Sequence, residues 1–320
     1  RVAVSRGMEW SIWPENATEE CGRLVNLGEG EAVSLDAELA HVVDTEGVIS
    51  ADFHVHGVTS PDSIVRKHNR VKNFMSEGVD VLISTDHDFI SDYGPEIARL
   101  GAGDEINSIV GEEITTPHIG HFNAFPLERD PDHRRGGSLD WARGVEYDMT
   151  PAEIYAWIDE QDGNPDNAEV KQINHPGSTI PPLDADVLRG ITLADPETKR
   201  LDPDQPGASG EDTGLWSDDF NAIEVMNGHG RGKVWTIMRW WLSMVSRGFS
   251  PTATAVTDTH KLYSDLGGSP RTFVFVGDEY DTPQTFDEQI FAAASSANRA
   301  IGTNGPFFRV ELENGSGETA

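Results

Sequence analysis

The chain has 320 residues, enough for one large α/β domain or two smaller ones. Asp and Glu total 55 against 24 Lys and Arg, a formal net charge of -31. We therefore expect no nucleic-acid partner and no anionic membrane surface, because phosphate groups need a basic face. No apolar stretch is long enough to cross a bilayer. The single cysteine, Cys21, excludes an internal disulfide and a thiolate metal site.

Residues 1–48 mix apolar and acidic segments without clear periodicity, and we expect a short β-rich lead-in there. From Val48 onwards, strand-like and helix-like segments alternate, which predicts an α/β domain over residues 49–308 built on a parallel sheet or barrel. Residues 309–320 resemble the start of a truncated further segment. Because the first residue is Arg1, we expect a mature or truncated piece of a periplasmic or secreted protein.

Apolar runs predict the strands, and helical periodicity with capping signals predicts the helices. Thr150 to Glu153 form a capping box with proline at the first helical position, and Thr285 to Glu288 cap the last helix. Residues 177–217, rich in Pro, Asp and Gly, are expected to form a lid or specificity loop. The predicted strands cover residues 48–56, 79–85, 106–115, 120–127, 170–177, 220–228, 252–260, 271–277 and 305–315. The other predicted helices cover residues 62–77 and 231–247.

Histidines and acids lie at the ends of these strands. His54 and His56 in SADFHVHG are two residues apart, so both side chains face the same side of a strand. Asp258 and His260 in TDTH repeat that spacing. In α/β barrels, functional groups collect at the C-terminal strand ends, so the pairs should converge. Without thiolates, such a ligand set suits Zn, Mn or Fe.

Two adjacent pairs leave a choice, because neighbouring residues on a regular strand point opposite ways. For Asp86-His87 we expect His87 to be the ligand, and Asp86 to be either a structural acceptor or one that orients a neighbouring imidazole. For Glu112-Glu113, spacing does not decide which carboxylate faces the site.

Other polar residues near the motif ends have two interpretations each. Glu224 in AIEVMNG either supports a ligand or forms an ion pair at the barrel rim. His229 either contacts substrate or is an ordinary loop histidine. Four cations are candidates to hold a phosphate, or else are solvated or ion-paired side chains: Arg231, Lys233, Lys261 and Arg271.

The motifs resemble those of the PHP (polymerase and histidinol phosphatase) family of metal-dependent hydrolases. Over roughly residues 45–308, seven motifs occur in the family's order: HVH, TDH, GEE, GHFN, NHPG, AIEVMNG and TDTH. DFHVHG, STDHDFISDYGP, GHFNAFPL and NHPG are most similar to the CehA/McbA-type branch, named for carbaryl-hydrolysing enzymes.

The resemblance implies a distorted (β/α)7 barrel with two or three divalent metal ions, and it selects Glu113 over Glu112. It also implies three ligand sets. The first metal would take His54, His56, Glu113 and Asp258; the second would share Glu113 and take His121 and His175; the third would take Asp62, His87 and His260.

For the reaction, we expect a metal-bridging hydroxide to attack phosphorus or a carbonyl carbon. Asp258 or His260 would relay a proton, with His229 as a more distant option. The favoured activity is that of a phosphoesterase on small-molecule mono-, di- or triesters. The alternatives are a carbamate or aryl-ester hydrolase, and a non-catalytic metal-stabilised domain of a larger secreted protein.

Overall fold

The protein is described from a computed structural model that places most of the chain. The described residues are 1–15, 22–116, 120–142, 149–161, 164, 166–176, 217–228, 231–246 and 248–309, with Arg231 described by its backbone alone. The predicted lid or specificity loop at 177–217 therefore lies almost wholly outside the described residues, as does His229.

Ten strands and five α-helices make up the described part. The strands are β1 (Val48–Val55), β2 (Val81–Ser84), β3 (Asn107–Ile109), β4 (Glu112–Thr116), β5 (Gly120–Phe125), β6 (Val170–Ile173), β7 (Ala222–Asn227), β8 (Thr252–Val256), β9 (Arg271–Phe275) and β10 (Ala300–Thr303). The helices are α1 (Lys67–Ser76), α2 (Gly94–Leu100), α3 (Pro151–Asp159), α4 (Arg231–Ser246) and α5 (Glu288–Ser296).

The strands form two five-stranded mixed sheets. The first has the order β10-β9-β1-β2-β3, and the second has the order β4-β5-β6-β7-β8. Pairing is parallel within β1-β2-β3 and within β6-β7-β8, and antiparallel elsewhere. The α/β class is confirmed. The described strands do not form a closed (β/α)7 barrel, because both sheets contain antiparallel strands and only isolated bridges connect one sheet to the other.

One predicted strand, 106–115, is divided between the two sheets. The break falls at Val110-Gly111, between β3 and β4. A Cβ on Gly111 would lie 2.5 Å from the Ala124 carbonyl oxygen and 2.9 Å from that of Ser84. Only glycine fits where these backbones approach so closely. Gly111 therefore allows the chain to pass from the first sheet to the second at this point.

The helix termini follow their capping signals with two adjustments. Thr150 and Glu153 form the predicted reciprocal capping box at the start of α3. At α5 the capping side chain is Asp287, which accepts hydrogen bonds from the backbone N–H groups of residues 289 and 290, rather than Thr285. Helix α1 begins at Lys67, five residues later than the predicted 62, which leaves Asp62 on a loop.

The two ends of the chain carry less regular structure than expected. In the described part of residues 1–46, pairing is limited to isolated bridges such as Val2 with Arg23 and Trp10 with His41. Residues 305–309, the described part of the predicted last strand, are not a strand.

The apolar core of the first sheet positions the site. On β1, Ile49, Ala51 and Phe53 are fully buried against Phe291 of α5. Because side chains alternate along a strand, this packing turns His54 to the opposite side of the sheet. Among the helices of the described chain, none has the length and apolar character needed to span a membrane.

Candidate metal centre

The site lies where the two sheets meet, at the C-terminal ends of β1, β2 and β8. Two isolated backbone bridges join the sheets there, Val55 with Thr259 and His87 with Glu113. The second bridge is formed by ligand candidates themselves. Glu113 N–H donates to the Asp86 carbonyl at 3.2 Å, and Asp88 N–H donates to the Glu113 carbonyl at 2.9 Å.

The first cluster is formed by His54, His56, Glu113 and Asp258. The Nε2 atoms of His54 and His56 lie 3.3 and 3.1 Å from Asp258 Oδ1. The same two nitrogens lie 3.4 and 3.5 Å from Glu113 Oε2. Both histidines and Glu113 are fully buried. Such spacing brings four candidate donor atoms around one small volume.

The second cluster uses the other oxygen of Glu113. Oε1 lies 3.0 Å from His121 Nδ1 and 3.3 Å from His175 Nε2. His87 also approaches Glu113, with its Nδ1 2.7 Å from Oε2. One carboxylate therefore faces imidazoles from both clusters, which is the arrangement that a carboxylate bridging two cations needs.

The third cluster lies nearer to solvent. Asp62 Oδ2 is 3.0 Å from His87 Nε2 and 2.8 Å from His260 Nε2. The His56 ring stacks on the His260 ring, with centroids 4.1 Å apart. The four residues together could hold a further cation.

The structure thus brings together all nine side chains predicted as metal ligands, and metal binding by each of them remains a prediction. Buried nitrogen atoms that lack a partner indicate a fit to cations. His54 Nε2 and His175 Nδ1 are buried, and no described residue forms a hydrogen bond with them. Leaving such atoms unpaired costs about 1–3 kcal/mol each. Imidazole nitrogens and carboxylate oxygens in this setting suit divalent transition metals.

Charge within the clusters shifts the acids and the imidazoles in opposite directions. Burial would raise the pKa of Glu113, but His54, His121 and His175 outweigh it and hold that pKa well below its usual range. Burial would likewise lower the pKa of His87, but Asp62 and Glu113 raise it to about 10. Without metal, His87 would therefore carry a proton at neutral pH.

Burial would also lower the pKa of two further histidines, with different net results. It outweighs the neighbouring carboxylates at His56, whose pKa is lowered. At His175, hydrogen bonding and charge from Glu113 overcome burial and raise the pKa to about 9.

Two ligand candidates adopt left-handed backbone conformations. The φ angle of His175 is 27° and that of Asp258 is 52°. Strand β8 ends at Val256, so Asp258 and His260 do not converge through regular strand alternation as predicted. A turn after the strand places them instead. Such conformations are sparsely populated in non-glycine residues, and the surrounding contacts must hold them.

A layer of hydrogen bonds surrounds the ligands. Glu224 is fully buried, and its Oε1 lies 2.5 Å from His54 Nδ1. This contact supports the first of the two interpretations of Glu224, that it supports a ligand. Two further residues of this layer, Asn174 and Thr115, were not among the predicted site residues. Asn174 donates to Glu113 Oε1 at 2.9 Å, and the Thr115 hydroxyl lies 2.6 Å from His87 Nδ1. Their places in or beside the NHPG and GEEITT motifs were the only signal for them.

Asp86 and Glu112 face away from the ligands. Asp86 accepts hydrogen bonds from Gly57 N–H at 2.6 Å and from the Ser91 hydroxyl at 2.7 Å. Of the two roles expected for Asp86, these contacts support the structural one, because Asp86 holds the loop after β1 and contacts no imidazole in the described chain. Glu112 accepts a hydrogen bond from Leu139 N–H, and burial raises its pKa to about 7.

A cavity of about 500 Å³ opens onto the clusters. Its lining includes Lys233, together with an apolar side formed by Val225, Val234 and Ile237. A cavity of this size is typical of ligand sites in proteins.

Arg271 does not reach this cavity. It is fully buried, and its guanidinium donates to Glu9 Oε1 at 2.8 Å and to the carbonyls of Glu77, Gly78 and Gly268. The expectation that Arg271 holds a phosphate is wrong, because its donors are already engaged. The side chain of Arg231 and the whole of His229 lie outside the described residues, so these two predictions remain as they were.

The fold is similar to that of a solved structure with a PHP-like domain. A two-domain protein from Bacteroides vulgatus containing a predicted PHP-like metal-dependent phosphoesterase matches with a TM-score of 0.51 and 21% identity, over 86% of this chain and 70% of that chain. The lesion-specific endonuclease PfuEndoQ from Pyrococcus furiosus matches with a TM-score of 0.46 and 13% identity, over 80% of this chain and 57% of that chain. No family model matches the sequence, and no curated protein matches it. The chain thus shares the fold of a PHP-like protein.

One expectation about partners needs correction. Endonuclease Q has also been crystallised with a 27-mer duplex carrying an abasic lesion at its active site; that complex matches with a TM-score of 0.44 and 12% identity, over 76% of this chain and 55% of that chain. Ruling out nucleic acid as a partner on net charge was wrong. Net charge describes the whole surface, whereas a phosphate meets only local groups and any bound cations.

Proposed function

We propose that the protein is a metal-dependent hydrolase of the PHP type that cleaves phosphoesters. The observation that carries the proposal is Glu113, a buried carboxylate shared by two histidine clusters that open onto one cavity. Adjacent divalent cations, when bound, lower the pKa of water and offset charge on phosphoryl oxygens. The PHP-like fold and the clusters both support this class of reaction.

The chain's own residues would contribute positioning and charge. His54, His56 and Asp258 would hold one cation, and His121 and His175 a second with Glu113 between them. Asp62, His87 and His260 would hold a third. The Lys233 ammonium would contact a non-bridging phosphoryl oxygen, since Lys233 lines the same cavity. His260 lines it as well and would carry a proton to or from the reacting group.

A second candidate is a carbamate or aryl-ester hydrolase of the CehA/McbA type. The observation in its favour is the apolar side of the cavity, where Val225 and Ile237 are buried and Val234 is half-buried. Branched aliphatic side chains suit an uncharged organic group better than a second charged group. The two candidates differ in the electrophile and share the metal centre.

The test compares substrates on protein stripped of metal and reloaded with Zn²⁺ or Mn²⁺. An aryl phosphate monoester, an aryl phosphodiester, an oligonucleotide and an aryl carbamate would be assayed in parallel. We expect metal-dependent cleavage of a phosphoester, lost by at least about 100-fold in His87→Ala. His133→Ala is the matched control, because His133 is an exposed histidine paired only with Asp130. Carbamate turnover far above all phosphoester turnover would contradict the first proposal and favour the second.

A further inference from the structure

Glu224 contacts the first and the second cluster, together called the inner clusters, without lining the cavity. Its side chain is fully buried on β7, which lies between β6, the strand that leads to His175, and β8, the strand that leads to Asp258. Oε1 accepts from His54 Nδ1 at 2.5 Å. Oε2 accepts from the backbone N–H of His175 and from Asn227 Nδ2, the latter at 2.9 Å. The carboxylate therefore contacts the ligand candidates from the side away from the cavity.

Strand alternation on β7 accounts for this placement, because residues 225 and 227 share one side of the strand and residue 224 faces the other. Val225 and Asn227 line the cavity, while Glu224 contacts the His54 ring. The register between β7 and β8 shifts beyond this point, between Glu224 and Met226.

The contact with His54 determines which ring nitrogen faces the cluster. When Nδ1 carries the proton that is donated to the carboxylate, Nε2 is left with a free lone pair. His54 Nε2 is one of the buried atoms without a hydrogen-bond partner in the described chain, and it faces Glu113 and Asp258. A carboxylate behind an imidazole also makes the ring a better ligand.

The contact with His175 holds a strained backbone. At this residue φ is 27°, and its backbone N–H points at Glu224 Oε2. Asn227 extends the same network, because its Nδ2 lies 3.2 Å from Asp258 Oδ2 as well as 2.9 Å from Glu224. One side chain thus connects His54, His175 and, through Asn227, Asp258.

We infer that Glu224 is a positioning residue that sets the cation affinity of both inner clusters, by fixing the His54 tautomer and the His175 backbone. The inference rests on the proposed metal centre and does not require any particular substrate. A merely structural buried carboxylate would affect folding stability but would leave the affinity of the correctly folded protein unchanged.

The decisive variant is Glu224→Gln, which keeps the volume and removes the acceptor charge. Its matched control is Glu112→Gln, since Glu112 is equally buried and faces away from the ligands. Mn²⁺ and Zn²⁺ affinities would be measured by competition with a chelator, on each protein in metal-free form. We expect Glu224→Gln to bind about 10–100-fold more weakly than the unmodified protein, and Glu112→Gln to bind within about twofold of it. Equal affinity in both variants would overturn the inference.

A second measurement needs no variant. In the Zn²⁺-loaded protein, ¹⁵N chemical shifts of the imidazoles should show His54 protonated at Nδ1 and not at Nε2. Protonation at Nε2 would overturn the inference even if Glu224→Gln failed to fold. Neither readout uses hydrolysis, so a protein that binds cations as expected but cleaves no phosphoester would contradict the proposed function alone.

Discussion

At the scale of single residues, the site depends most on Glu113. Its two oxygens lie within 3.5 Å of imidazole nitrogens from His54, His56, His87, His121 and His175. We expect Glu113→Gln to reduce bound metal by at least one ion per chain and to weaken the remaining binding by more than about 100-fold, since a shared ligand affects two clusters. Elemental analysis after dialysis measures the first effect and chelator competition the second.

The control for that variant is Glu105→Gln. Glu105 is an exposed carboxylate whose ion pair with Arg6 lies on the surface. Its replacement should leave metal content unchanged and cost at most about 1 kcal/mol of stability. If Glu113→Gln kept the full metal content, the idea that this carboxylate is shared between cations would be wrong.

The same residues show how far sequence reasoning reaches. Strand alternation was enough to predict that His54 and His56 share a side, but it left Glu112 and Glu113 undecided, and the family resemblance made that choice. The role of Glu224 stayed open because its partners are distant along the chain, 170 residues away in the case of His54. The prediction for Arg271 was wrong for a related reason. Its closeness to a motif along the chain does not reveal that its guanidinium already donates to Glu9 and to three carbonyl oxygens.

At the scale of elements, the passage from β3 to β4 is the feature that local patterns missed. Residues 106–115 have the composition of one strand, yet Gly111 lies so close to two carbonyl oxygens that the chain changes sheets there. This crossing brings Glu113 beside His87, through the backbone bridge that joins the sheets. The capping box of α3, in contrast, was predictable because all of its hydrogen bonds are local.

Gly111→Ala tests the importance of that crossing. The new methyl would lie 2.5 Å from one backbone oxygen and 2.9 Å from another, so the sheets must separate slightly. We expect a loss of about 1–3 kcal/mol in the free energy of unfolding, measured by denaturant titration. Gly103→Ala is the control, because a Cβ there meets nothing within 4 Å. An equal effect of both substitutions would mean that the close approach at Gly111 is unimportant.

At the scale of the whole molecule, charge and stability are linked through the metal centre. The chain carries a formal charge of -31, yet its inner cavity gathers imidazoles around three carboxylates, those of Asp62, Glu113 and Asp258. Nearby carboxylates raise the pKa of His87 to about 10 and that of His175 to about 9. Without metal, protons on these two imidazoles therefore balance the charge of the carboxylates. Bound cations would take over this role.

This linkage predicts a pH dependence that metal should remove. The ordinary pKa of histidine is 6.5, so between pH 6.5 and about 9 the folded metal-free protein holds protons on His87 and His175 that the unfolded chain releases. The contribution of His87 and His175 to the stability of the metal-free protein is therefore complete below pH 6.5 and is lost as pH rises through this range. Thermal unfolding from pH 6.5 to 9 should show a falling Tm without metal and a flatter profile with Zn²⁺ or Mn²⁺. His87→Gln should reduce the slope of the metal-free profile, because one of the two proton sites is gone. A metal-free Tm that stayed constant or rose across this range would mean that the imidazoles do not carry the protons that the clusters require.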